Sequence, residues 1–122
     1  MRKLIATLAV VAVPAAGFAA VNASAADAPV TKAATRTIVL GDNFFKPKAI
    51  TIRKGTILKF NWGPDNEGTL VEHNVTGVKG NKFTNGEDTV KPDRPYRKRF
   101  TKSSTVVCTI HSTTMILKVK VK

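Results

Sequence analysis

The sequence predicts an all-β chain, a Greek-key β-sandwich of about seven or eight strands. Three observations point there. Helical periodicity is absent beyond residue 35. Short β-branched and aromatic runs recur in its place, cut by Gly, Pro, Asn and Asp. The closing segment MILKVKVK (115–122) alternates strictly, with Lys118, Lys120 and Lys122 set for water and Leu117, Val119 and Val121 for a core. Met115 shares the parity of the core set and is expected to point inward where that strand begins.

The elements follow in order. Residues 1–25 open with Arg2 and Lys3, run apolar from Leu4 to Val13 and end in Ala23-Ser24-Ala25, which fits a signal-peptide cleavage site. The apolar run is short for a membrane span and is interrupted by Pro14 and Gly17. The protein is therefore expected to be exported to a periplasmic, cell-envelope or extracellular location, with no membrane span after cleavage. ADAPVTKAAT (26–35) is small and polar and reads as a flexible leader. Residues 36–122 then form one domain, enough chain for a modest core and expected to be a monomer.

Within that domain RTIVL (36–40) reads as a strand stopped by GDN. KAITIR (48–53) puts Ile50 and Ile52 on one face, and KG turns the chain. TILKFNW (56–62) gathers Leu58, Phe60 and Trp62 on one face as core packing. GPDNEG (63–68) is a loop and LVEHNVTGV (70–78) a strand candidate. Residues 79–95 are rich in Gly, Asn, Asp and Pro and read as an irregular connection. YRKRFT (96–101), TVVCTI (105–110) and 115–122 complete the strands, joined by antiparallel Greek-key connections.

Charge bounds the partners. The chain has 20 Lys and Arg against 8 Asp and Glu; without Arg2 and Lys3 the net charge is +10. Such a balance suits anionic cell-envelope polymers or an acidic protein partner. Export, and the lack of aromatic residues interleaved with the basic ones, argue against a nucleic-acid role.

Cysteine usage narrows the chemistry. Cys108 is the only cysteine, so no intramolecular disulfide exists. An exposed thiol outside the cell would oxidise. A buried inert thiol or a metal ligand remains. Cys108 lies in CTIHSTTM with His111 and Met115, and the only other histidine is His73. A thiolate, two imidazoles and a thioether form a soft set. Two His and one Cys in a plane with a weak axial Met is the blue-copper arrangement. Zinc is the chemical competitor, although a structural zinc site more often recruits a second cysteine and a thioether suits it poorly.

These motifs resemble those of plastocyanin/azurin-type blue copper proteins, the cupredoxins. HNV (73–75) is similar to the family's upstream histidine and its neighbour, and CTIHSTTM (108–115) to its Cys-x-x-His…Met loop. FFKPKAITIRKGTILKFNW (44–62) is similar to its Phe-x-Pro, strand, Gly and apolar strand. The resemblance covers residues 36–122. It implies a cupredoxin-like sandwich holding one type 1 copper ion, with His73, Cys108 and His111 as strong ligands and Met115 as the weak axial one. It implies that Asn74 ties the two ligand-bearing loops together. It also implies that His111 is the electron exit, inside an apolar patch to which Ile110 and Pro64 contribute. The implied function is one-electron transfer between redox protein partners; the basic surface would steer an acidic one, and two histidines are too few for a further catalytic copper centre, so no enzymatic activity is expected. The alternative is a copper-binding or delivery protein of the cell envelope using the same ligands.

Overall fold

The computed structural model describes residues 32–122. The expected signal peptide (1–25) and most of the leader (26–35) lie outside the described residues. Among the described residues there are nine strands and one short 3-10 turn: β1 (Thr35–Gly41), β2 (Phe44–Lys46), β3 (Ala49–Ile52), β4 (Ile57–Trp62), β5 (Thr76–Lys79), β6 (Phe83–Thr84), β7 (Tyr96–Arg99), β8 (Ser104–Val107), the turn η1 (Thr109–His111) and β9 (Ile116–Val121). They form two sheets, in the order β2-β1-β4-β7 and β3-β9-β8-β5-β6.

The apolar alternation of the sequence faces inward as expected. Leu58, Phe60 and Trp62 of β4 are fully buried, as are Ile38 and Leu40 of β1. Leu117 and Val119 are buried between exposed Lys118 and Lys120. Phe45 meets Phe60 edge-on at 6.3 Å, and Phe100 packs against Phe83 at 5.6 Å. Each such aromatic or aliphatic side chain contributes roughly 1.5–3 kcal/mol through burial.

The structure departs from the sequence expectation in four places, the last of them just beyond β8. First, the sheets are mixed: β1 runs parallel to β4 and β3 parallel to β9. The chain passes from β1 through β2 to β3 in the other sheet, so neither parallel pair is consecutive in sequence, and local patterning carries no trace of it. Second, β2 and β6 are added, at three and two residues, too short to register as periodic runs.

Third, 70–78 is a strand only from Thr76. Its first half makes a single bridge in which His73 and Thr89 exchange backbone hydrogen bonds of 2.9 and 3.1 Å. Leu70 is 88% exposed there, because Asp42 takes its amide at 3.0 Å and holds this stretch outside the ladder.

Register fixes the two ends of the molecule. The C-terminal ends of β1 and β4 coincide at Leu40 and Trp62, and β7 starts beside them at Tyr96. The end of β8 and the start of β9 pair through Val107 and Ile116. Gly63 turns the chain out of β4 with φ +76°, where a Cβ would stand 2.6 Å from the Gly68 carbonyl oxygen, so glycine is required.

Candidate metal centre

Three local structures bring the soft side chains to one point. Beyond β8 the expected strand gives way to η1. A 3-10 turn has three residues per revolution, so residues three apart eclipse. Cys108 and His111 therefore project from the same side of the turn. The His111 amide donates to the Cys108 carbonyl at 3.1 Å, and the Met115 amide donates to the His111 carbonyl at 2.8 Å. The Cys108 amide donates to the Met115 carbonyl at 3.2 Å, closing the loop at the mouth of the β8–β9 hairpin. His73 arrives from the other side, positioned by its bridge to Thr89.

Cys108 Sγ lies 3.9 Å from His73 Nδ1 and 3.6 Å from His111 Nδ1. The donor atoms of the three residues lie within 4.8 Å of one another. A first-row ion in a trigonal plane, with bonds of about 2.0–2.1 Å to imidazole and about 2.3 Å to thiolate, sets sulfur and nitrogen about 3.8 Å apart. The observed separations match that gap. Cys108, His73 and Met115 are fully buried, and His111 is half-buried. Three of the four residues named from the sequence, His73, Cys108 and His111, thus come together in one cluster, and Met115 is buried at the end of the same hydrogen-bonded loop.

Asn74 lies beside them and makes the densest set of side-chain bonds at this end. Its Nδ2 donates to Asp88 Oδ1 at 2.6 Å and to Thr109 Oγ1 at 2.7 Å. Its Oδ1 accepts from the Thr109 amide and the Thr76 hydroxyl, both at 3.0 Å. Its backbone N–H points at Cys108 Sγ at 3.5 Å. The side chain thus joins the His73 segment to the turn that carries Cys108 and His111. Ile110 (47% exposed) and Pro64 are both on the surface, with exposed Leu70 and Val71 in the neighbouring loop.

Sequence reasoning missed Asp42 and Asp88. Asp42 Oδ1 sits 3.4 Å from His73 Nε2, so the ring turns Nδ1 toward the sulfur. In the sequence Asp42 reads only as part of a turn, GDN. Its partners are 28 and 31 residues away, beyond any local signal.

Burial pushes the His73 pKa below the ordinary 6.5; the hydrogen bond and charge of Asp42 oppose this, and the charge of His111 adds to it. The lowered folded value means that the unfolded chain binds more protons once the pH drops below 6.5. Stability is then lost from 6.5 down to the folded pKa. In the metal-free protein the urea midpoint is expected to fall between pH 7.5 and 5.5, and to fall less in His73→Gln. Equal slopes for the two proteins would contradict the assignment.

The nine strands have the cupredoxin fold, with His73, Cys108 and His111 grouped at the loop end. Solved structures agree. Amicyanin from Paracoccus versutus is similar at TM-score 0.55 and 26% identity, over 80% of this chain and 88% of that one. Native pseudoazurin from Hyphomicrobium denitrificans is similar at TM-score 0.55 and 17% identity, over 72% of this chain and 75% of that one. A Cu-containing nitrite reductase from Thermus scotoductus SA-01 is similar at TM-score 0.57 and 22% identity over 79% of this chain, which spans only 24% of the reductase. No protein-family model and no curated protein matches the sequence.

Proposed function

We propose that this domain is an exported type 1 copper protein that carries single electrons between redox partners. The observation that carries the reading is the buried thiolate–imidazole gap of 3.9 and 3.6 Å, sized for one first-row ion. His73, Cys108 and His111 would hold copper, with Met115 as the weak axial donor. Bound copper supplies a one-electron Cu(I)/Cu(II) couple.

The chain's own part is constraint. Cys108 and His111 are fixed by the hydrogen-bonded turn, His73 by Thr89 and Asp42, and both sides by Asn74. Ligands on such supports move little between oxidation states. Burial of His73, Cys108 and Met115 excludes water from the metal side of the site. His111 alone of the two imidazoles reaches the surface, so its ring edge is the electron exit. Both histidines of the chain are used here, which supports a carrier and not an enzyme with a second metal centre.

Local charge bears on the partner. Residues 41–45, 60–78 and 103–117 carry the site and its loops. They contain Asp42, Asp65, Glu67 and Glu72 and no Lys or Arg, and the 85–95 loop that holds His73 through Thr89 adds Glu87, Asp88 and Asp93 against Lys91 and Arg94. The net charge of the chain suggests an acidic partner, but the surface next to His111 favours one that meets it with apolar or basic groups.

Redox cycling of the copper-loaded protein separates transfer from delivery. An electron carrier keeps its copper through repeated reduction and oxidation, whereas loss of Cu(I) to a chelator on reduction would favour the delivery reading. In Met115→Leu, copper is expected to stay bound while the potential shifts by at least ~59 mV, a tenfold change in a one-electron equilibrium. Complete loss of metal would show that Met115 is more than a weak donor.

A further inference from the structure

The end of the sandwich opposite the metal centre carries a concentration of unpaired cations. Three registers converge there: Thr35 with Ile57, Ile57 with Arg99, and Ile52 with Val121. Backbone bonds lock the same end. Ile57 donates to the Ala34 carbonyl at 2.8 Å, and Lys54 donates to that of Lys122 at 3.3 Å. Arg36, Arg53, Lys54, Arg99, Lys102 and Lys122 are all exposed on it. Arg36, Arg53 and Lys122 share a cleft of about 410 Å³ with the hydroxyls of Thr51 and Thr56.

Residues 32–41, 46–59 and 94–122, which build this end and most of both sheets, contain no Asp or Glu. Among the described residues no Lys or Arg makes an ion pair; the one carboxylate pair is that of His73 with Asp42. Like charges gathered without counter-charges disfavour the folded state, and an anionic partner removes that penalty.

Of the large exposed apolar side chains among the described residues, Val78, on β5 beside Lys79, approaches this end, and Phe44, Leu70, Val71, Val90 and Ile110 lie elsewhere, so insertion into an apolar phase has little support here. The cations are spread across the strand ends of both sheets, from Arg36 and Arg99 to Lys54 and Lys122, which suits a broad anionic surface better than a point ligand. We propose that the basic end is a docking face for the anionic headgroups of a phospholipid membrane. The domain then rests on the bilayer by charge alone, with His111 about 20 Å away at the far end of the strands, free for a redox partner. The docking face stands independently of copper.

The test is sedimentation of the isolated protein with phosphatidylglycerol or phosphatidylcholine vesicles across a salt series. Binding to phosphatidylglycerol alone, lost by about 0.5 M salt, is expected, since polybasic attraction falls off within a Debye length. Arg36→Gln, Arg53→Gln, Lys54→Gln and Lys122→Gln together should weaken it on the order of 100-fold or more. A control with the same charge change, Lys46→Gln, Lys48→Gln, Lys91→Gln and Arg94→Gln, should weaken it less than about threefold, because those residues lie toward the other end. Equal losses in the two variants would reduce the effect to net charge and overturn the proposal. Equal binding to both lipids would overturn it in favour of apolar insertion. Binding to a soluble acidic polysaccharide without binding to vesicles would overturn it in favour of an envelope polymer. Copper content is measured alongside; unchanged vesicle binding without copper is the expected result.

Discussion

Cys108→Ser is expected to abolish the intense visible absorption of the copper-loaded protein and to weaken copper binding by more than ~100-fold, beyond the 10–100-fold typical of groups that only support a ligand. The thiolate is the softest donor in the set, and it sits 3.9 and 3.6 Å from the two imidazole nitrogens. A serine hydroxyl fills nearly the same volume and can accept the Asn74 N–H that now points at sulfur. The fold therefore survives, and the metal-free variant should lose only about 1 kcal/mol. That separation matters, because a fully buried cysteine is also a common packing residue. If Cys108 served packing alone, the variant would change stability and leave metal binding untouched. Visible spectroscopy and urea unfolding of the same two proteins distinguish these outcomes.

Asn74→Ala is expected to cost about 3 kcal/mol in the metal-free protein, since four side-chain hydrogen bonds disappear at a net worth of roughly 0.5–1.5 kcal/mol each. Asp88 and Thr109 are exposed and recover water, which holds the loss to that range. Metal affinity should fall 10–100-fold, because the His73 segment and the Cys108 turn lose their main tie. Asn74→Asp sharpens the test. It keeps an oxygen for the Thr109 amide but sets a carboxylate where Nδ2 now meets Asp88 at 2.6 Å. Its defect should grow as pH rises through the carboxylate range, while that of Asn74→Ala should not. Denaturant melts at pH 4 and pH 7 measure the difference.

How much of this was legible in the sequence depended on distance along the chain. Cys108, His111 and Met115 fall within eight residues, so their scarcity and spacing were visible at once. The inward row Leu117, Val119 and Val121 was visible because strand periodicity is local. His73 could be named as the only other histidine of the chain, and the likeness of HNV to a family motif tied it to the other three. What depended on non-local pairing stayed hidden. The parallel β1–β4 and β3–β9 pairs join elements separated by others, and the contacts of Asp42 span 28 and 31 residues.

TVVCTI looked like one strand because its residues favour β structure. The backbone turns at Thr109 because the hydrogen-bonded loop from Cys108 to Met115 overrides that preference. Net charge was misleading in its own way. The excess of Lys and Arg was plain in the composition, but only the folded chain places Asp42 beside His73 and gathers Arg36, Arg53, Lys54 and Lys122 at the opposite end.

The central claim is that His73, Cys108, His111 and Met115 form a single copper site. Titration of the metal-free protein with Cu(II), followed by visible absorption, tests it most directly. The expected result is an intense thiolate-to-copper band that saturates at one equivalent and bleaches with a reductant. A colourless protein that binds zinc tightly and develops no band with copper would contradict it.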